Sequence, residues 1–123
     1  MSLVEVHARL ANTLLLYVVI LAVWGLWRFF RKEGVGSSYW GALVIAEVLI
    51  ILQGLLGAYL WIINSLRPER GIIHILYGVV SALAIPAVYI YTRGGDERRE
   101  MLVYAAVLLF TIGLVLRAIS TGA

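Results

Sequence analysis

The chain has no cysteine, only two histidines, and few charges: 14% of its 123 residues are Asp, Glu, Lys or Arg. Without cysteine there is no disulfide, no thiolate metal site and no thioether-attached cofactor, although the redox compartment stays open. So little charge, with 63% hydrophobic residues and a mean hydropathy of +0.96, leaves too little polar surface for a soluble domain of this length. The net charge of +3 is modest and sits between apolar runs, so it reads as topology control, and nucleic acid is not expected as a partner.

What the sequence does have is four runs of membrane length: Leu10 to Trp27, Tyr39 to Ile63, Gly71 to Tyr91 and Met101 to Ile119. Each approaches the about 20 apolar residues that a spanning helix needs. The first run is not expected to be a cleaved signal peptide. Its basic cluster "RFFRK" follows the apolar stretch, and "VEVHAR" before it holds an acid. Short links, "RKEGVGSS", "SLRPER" and "TRGGDERRE", favour antiparallel neighbours. The expected fold is therefore all-α, a single domain over residues 1–123 forming an up-down-up-down bundle of four transmembrane helices. Glycines in the first and third links are expected to stop helices, and Pro68 with Glu69 to open the third one.

Lys and Arg set the orientation. Six of them (Arg28, Arg31, Lys32, Arg93, Arg98, Arg99) lie in or beside the first and third links, against Arg9, Arg67, Arg70 and Arg117 at the other side. The first and third links are thus expected in the cytoplasm, with both termini and the second link outside, as in a multi-pass plasma-membrane protein. Trp24, Trp27 and Trp40 fall near the inner interface and Trp61 near the outer one, and tyrosines at helix ends are expected to anchor at the interface.

Both histidines lie toward the outer ends of odd-numbered helices. His7 is 21 residues before Arg28 and His74 is 19 before Arg93, which puts them roughly 32 and 28 Å above the inner boundary, nearly level. Helices one and three of such a bundle run parallel and lie diagonally across the core, about 12 to 14 Å apart. Two imidazoles with an iron between them fill that gap. The spacing points to a bis-histidine haem, with His7 and His74 as the metal ligands.

Residues around the pair fit a flat macrocycle. Ala11 and Gly78 stand one turn after the histidines on the same faces, and Gly57 on the second helix is level with His74. Anionic propionates would turn toward Arg9, Arg67, Arg70 and Arg117, because arginine matches carboxylates bidentately. There are plainer readings. A histidine near a helix end can simply bond interfacial water, and small residues at helix contacts are ordinary packing. Zinc is disfavoured by the lack of thiols and of a placed acid, while a chlorophyll held by one histidine stays open. Glu47, about 13 Å in from the cytoplasmic end, is expected to be a protonated acid bonded to another helix near the Pro86 kink, or a proton relay. Gln53 and Asn12 are expected to make interhelical hydrogen bonds.

"LQGLLGAYLW", a short loop and "HILYGVVSAL" resemble two helices in one half of the haem A synthase family, and "EVHARLAN" is similar to that family's other ligand helix. There a Gln, two residues and a Leu-Gly pair precede a helix with a haem-ligating histidine. The resemblance extends over about three helices, and this chain supplies one four-helix half where the family usually has two. It implies a b-type haem at the outer face held by His7 and His74. The family's catalytic half has a Glu three residues before its histidine, whereas Glu5 stands two before His7, and the cysteine pair of some members is absent. The chain is thus more similar to the cofactor-holding half. Three functions follow as expectations. One is a b-type cytochrome carrying electrons within a respiratory or photosynthetic complex. The second is a haem-modifying enzyme assembled as a dimer of halves, and the third is a non-redox scaffold subunit. Each sits in membrane lipid, with a protein partner or a second copy in the membrane.

Overall fold

A computed structural model describes residues 2–65 and 71–122. It contains α1 (Leu3–Phe30), α2 (Ser37–Ile62), α3 (Gly71–Tyr91) and α4 (Arg98–Gly122). All four are long and apolar enough to cross a bilayer, and they pack as an up-down bundle. The opening of α3 at Pro68 and Glu69 lies outside the described residues.

Helix α1 starts seven residues before the apolar run. Its first turn is polar but well capped: Ser2 accepts a hydrogen bond from the Glu5 amide at 3.2 Å, and Glu5 sits where the helix dipole favours an acid. His7 is therefore held in a regular helix rather than in a tail.

The helices follow one another around a square. Helix α4 packs most extensively, against α1 and α3, while α2 against α3 is the loosest side, and neither diagonal pair approaches within 8 Å between Cα atoms. Each helix turns one row toward the centre, spaced alternately by three and four residues. In the half nearer the first and third links the rows are large: Leu14, Val18 and Leu21 on α1, Tyr39, Leu43 and Ile50 on α2, Ile85 and Val88 on α3, and Met101, Tyr104 and Leu108 on α4. With lipid as apolar as the core, the bundle is held by this close packing and by polar bonds across it, since the hydrophobic effect offers little between helices.

Two tyrosines near helix ends turn into the bundle. Tyr39 and Tyr104 are fully buried, and Tyr39 donates to the Leu21 carbonyl at 2.8 Å while its ring meets Trp24 edge to face at 4.9 Å. Tyr17 also bonds across the bundle, donating to the Ala42 carbonyl at 2.7 Å. Tyr39 and Tyr17 thus satisfy their hydroxyls on neighbouring helices, whereas the Tyr104 hydroxyl is buried without a hydrogen-bond partner among the described residues.

The first and third links interlock, which puts them at one end of the bundle and both termini at the other. The Val35 amide donates to Asp96 O at 2.7 Å, Arg98 Nε to Phe29 O at 2.8 Å, and Arg28 Nε to Gly34 O at 2.8 Å. Gly94 stops α3 with φ +72°, as its residue type suggests. After α1, however, the left-handed residue is Lys32 (φ 60°) and not a glycine, and Arg93 (φ 54°) shares the turn after α3. Gly34 is needed for another reason: a methyl there would run into the Asp96 carbonyl oxygen.

Candidate functional site

Toward the end bearing the termini the same inward rows continue, but their residues shrink or turn polar. On α1 the row runs back from Leu14 to Ala11 and His7. On α2 it runs on from Ile50 to Gln53 and Gly57, and on α3 back from Ser81 to Gly78 and His74. On α4 it reaches Ala118. No residue from 71 to 80 or from 2 to 13 is buried, whereas α1 and α3 each bury several further along. Gly78 is exposed, and a methyl added there would meet nothing within 4 Å. The bundle packs its centre with large side chains in one half and with small residues and the two histidines in the other.

In that second half the imidazoles face each other. The His7 and His74 ring centroids are 6.4 Å apart with planes at 69°, although the backbones of α1 and α3 stay more than 8 Å apart. Such a distance is ordinary for an edge-to-face aromatic pair. It equally matches a metal held between two imidazole nitrogens at about 2.0–2.1 Å each, which sets the ring centres roughly 6.3–6.5 Å apart. Distance alone does not choose between them.

The two rings are held differently. His74 Nδ1 lies 2.8 Å from the Ala118 carbonyl oxygen and 3.3 Å from Thr121 Oγ1. A carbonyl can only accept, so Nδ1 carries the proton and Nε2 keeps its lone pair. Thr121 is itself fixed, donating to Arg117 O at 2.8 Å. His7 has no such support, and its Nδ1 is buried without a partner among the described residues. Its ring rests against Gly57, where an added methyl would lie 3.2 Å from Cε1. Gln53 Nε2 donates to the His7 main-chain oxygen at 2.7 Å and leaves its own Oε1 buried and unpaired. Gln53 thus pins the helix and not the imidazole.

The other expected residues are distributed unevenly. Ala11 is half-buried on the seam and Gly78 stands at its open side. Arg9 and Arg117 are exposed at this end, with the Arg117 guanidinium 5.9 Å from the Tyr77 ring centre, and neither forms an ion pair among the described residues. Arg67 and Arg70 lie outside the described residues. Gln53 makes the expected interhelical bond; Asn12 is exposed and makes none among the described residues. Among the described residues no three His, Cys, Asp or Glu side chains converge, so the histidine pair stands without a third such ligand.

Among the described residues Glu47 makes no bond to another helix: its Oε1 is buried without a partner there, beside a cavity of about 410 Å³ between α2 and α3 that Pro86 also lines. The nearness to Pro86 holds, and the bond does not, because α2 and α3 pack too loosely there to bring an acceptor or donor across.

Ala118 and Thr121, which anchor His74, were not singled out from sequence. Counting the α4 row forward from Met101 and Tyr104 in alternating steps of three and four reaches Ala118, and that count was the available signal. No protein-family model, curated protein or solved structure matches the chain. The structure supports a four-helix protein with four membrane-length apolar helices, and no family is assigned to it.

Proposed function

We propose that the protein is a small membrane cytochrome of b type that binds one haem between His7 and His74 and carries electrons. The observation that carries this reading is the change along the inward rows, from Leu, Ile, Met and Tyr at one end to Gly, Ala and two facing imidazoles at the other. A histidine pair used only for packing has no need of Gly and Ala beside it on the inward rows, because larger side chains there would add contacts that hold a membrane bundle together.

The residues present fit the group. His74 offers Nε2 with its tautomer fixed by Ala118, and His7 offers the second ring at 6.4 Å. Gly57, Gly78 and Ala11 keep side chains out of the space, and Arg9, Arg70 and Arg117 are the arginines proposed to meet the propionates. The bound haem supplies a one-electron Fe(III)/Fe(II) couple. The chain would supply the His7 and His74 imidazoles as ligands. Two protein ligands favour electron transfer over chemistry at the iron. The Lys and Arg distribution supports a location near the outer face of the membrane, where a redox partner or a second copy would exchange the electron.

Oxidised and dithionite-reduced absorption spectra of the detergent-purified protein, beside His7→Ala and His74→Ala, test the proposal. A low-spin b-type spectrum that is lost or converted in both variants is expected. A folded wild-type protein without any haem band after haem-sufficient expression would leave the scaffold reading in its place.

A further inference from the structure

We infer that the two axial positions are unequal, His74 being the permanent ligand and His7 the exchangeable one, so that a small neutral diatomic ligand such as carbon monoxide enters on the His7 side. The inference rests on the haem reading above and assigns the two histidines different duties within it.

The difference lies in what each ring has behind it. An imidazole bound to a metal through one nitrogen needs an acceptor for the N–H of the other, which orients the ring and raises its basicity; losing such a partner costs about 10–100-fold in metal affinity. His74 has that acceptor, the Ala118 carbonyl at 2.8 Å, with Thr121 Oγ1 at 3.3 Å behind it. His7 Nδ1 is buried with none among the described residues. Ligation of His7 therefore leaves a buried donor unsatisfied, a standing cost that its release removes. The neighbours do not compensate. Gln53 donates to the His7 main chain, and Gly57 presents only a bare backbone to the ring, so nothing on α2 holds the imidazole. Resting haem is then six-coordinate, and only a competing ligand reveals which bond is the weaker.

The test uses the full chain loaded with haem in detergent, reduced with dithionite and titrated with carbon monoxide. The wild-type low-spin spectrum is expected to convert to the CO form at a rate that saturates with CO, because departure of His7 becomes limiting. His7→Ala is expected to keep its haem as a five-coordinate species whose CO binding rate rises linearly without saturation. His74→Ala is expected to bind haem at least about ten-fold more weakly than His7→Ala, since it loses the supported ligand. Thr121→Val should weaken haem binding, since it removes the hydroxyl behind the His74 ring. A wild-type spectrum untouched by saturating CO overturns the inference even if the histidine variants fail to fold. Equal haem loss in folded His7→Ala and His74→Ala variants also overturns it. In both cases the haem reading stands, whereas failure of the wild type to take up haem removes both.

Discussion

Gly25 offers a stability prediction whose opposing terms can be set against each other. It is buried on α1 where α2 and α4 cross, and a methyl added there would lie 2.6 Å from Tyr39 Oη, 3.2 Å from Met101 Cε and 3.3 Å from Ala105 Cβ. Ordinary contact begins at 3.4 Å, so the Tyr39 hydroxyl must retreat by about 0.8 Å. It has little room to do so, because Tyr39 is fully buried, bonds to Leu21 O at 2.8 Å and packs on Trp24. Overpacking of this kind costs about 1–3 kcal/mol, and a buried hydroxyl pulled from its acceptor about 1–3 kcal/mol more. Against this, Ala is better than Gly inside a helix by about 1 kcal/mol. Gly25→Ala should therefore lose about 3 kcal/mol, an apparent melting shift on the order of 10 °C for the detergent-solubilised protein followed by circular dichroism. Tyr39→Phe removes the hydroxyl that the methyl strikes, so Gly25→Ala should cost clearly less in that background, the residue coming from Met101 and Ala105. Gly41→Ala, where nothing lies within 4 Å, should be neutral or slightly stabilising. A Gly25→Ala protein as stable as wild type, or one equally destabilised with and without the Tyr39 hydroxyl, would refute this account of the crossing.

Three other expectations follow. Gly57→Val places its first carbon 3.2 Å from His7 Cε1 with two methyls beyond, so it should displace the ring and reduce the low-spin haem band while the far-ultraviolet spectrum stays helical. Glu47→Leu replaces a carboxylate whose Oε1 is buried without a partner among the described residues, and should raise thermal stability by about 1 kcal/mol; a fall would mean that the carboxyl is required. Lys32→Gly relieves a left-handed residue (φ 60°) in the first link, and a gain of about 0.5 kcal/mol is expected in the same melt, the relief of backbone strain being partly offset by the freer unfolded chain.

The sequence announced the four spans, the antiparallel order and the level histidines, because hydropathy and a 1.5 Å rise per residue are enough for depth. Gly57 was legible for the same reason, since its distance along α2 already made it level with His74. Which way a residue faces was harder. In a helix that is apolar all round, hydrophobic periodicity carries no signal for the inward side, and so nothing in it marked Tyr39 and Tyr104 as buried. The bond between Val35 and Asp96 joins two link backbones that no side-chain pattern relates. The ligand environment was only half visible: His74 could be placed, but its partner is a main-chain carbonyl, Ala118, which residue type cannot mark. Glu47 illustrates the converse, a polar residue for which burial suggested a bond that loose packing of α2 on α3 does not provide.

The most direct test of the central claim is low-temperature electron paramagnetic resonance of the oxidised wild-type protein, with haem and protein quantified in the same sample. The account predicts about one haem per chain and a low-spin ferric signal of the bis-imidazole kind. A monodisperse, helical protein that carries no haem, or a purely high-spin signal, would contradict it.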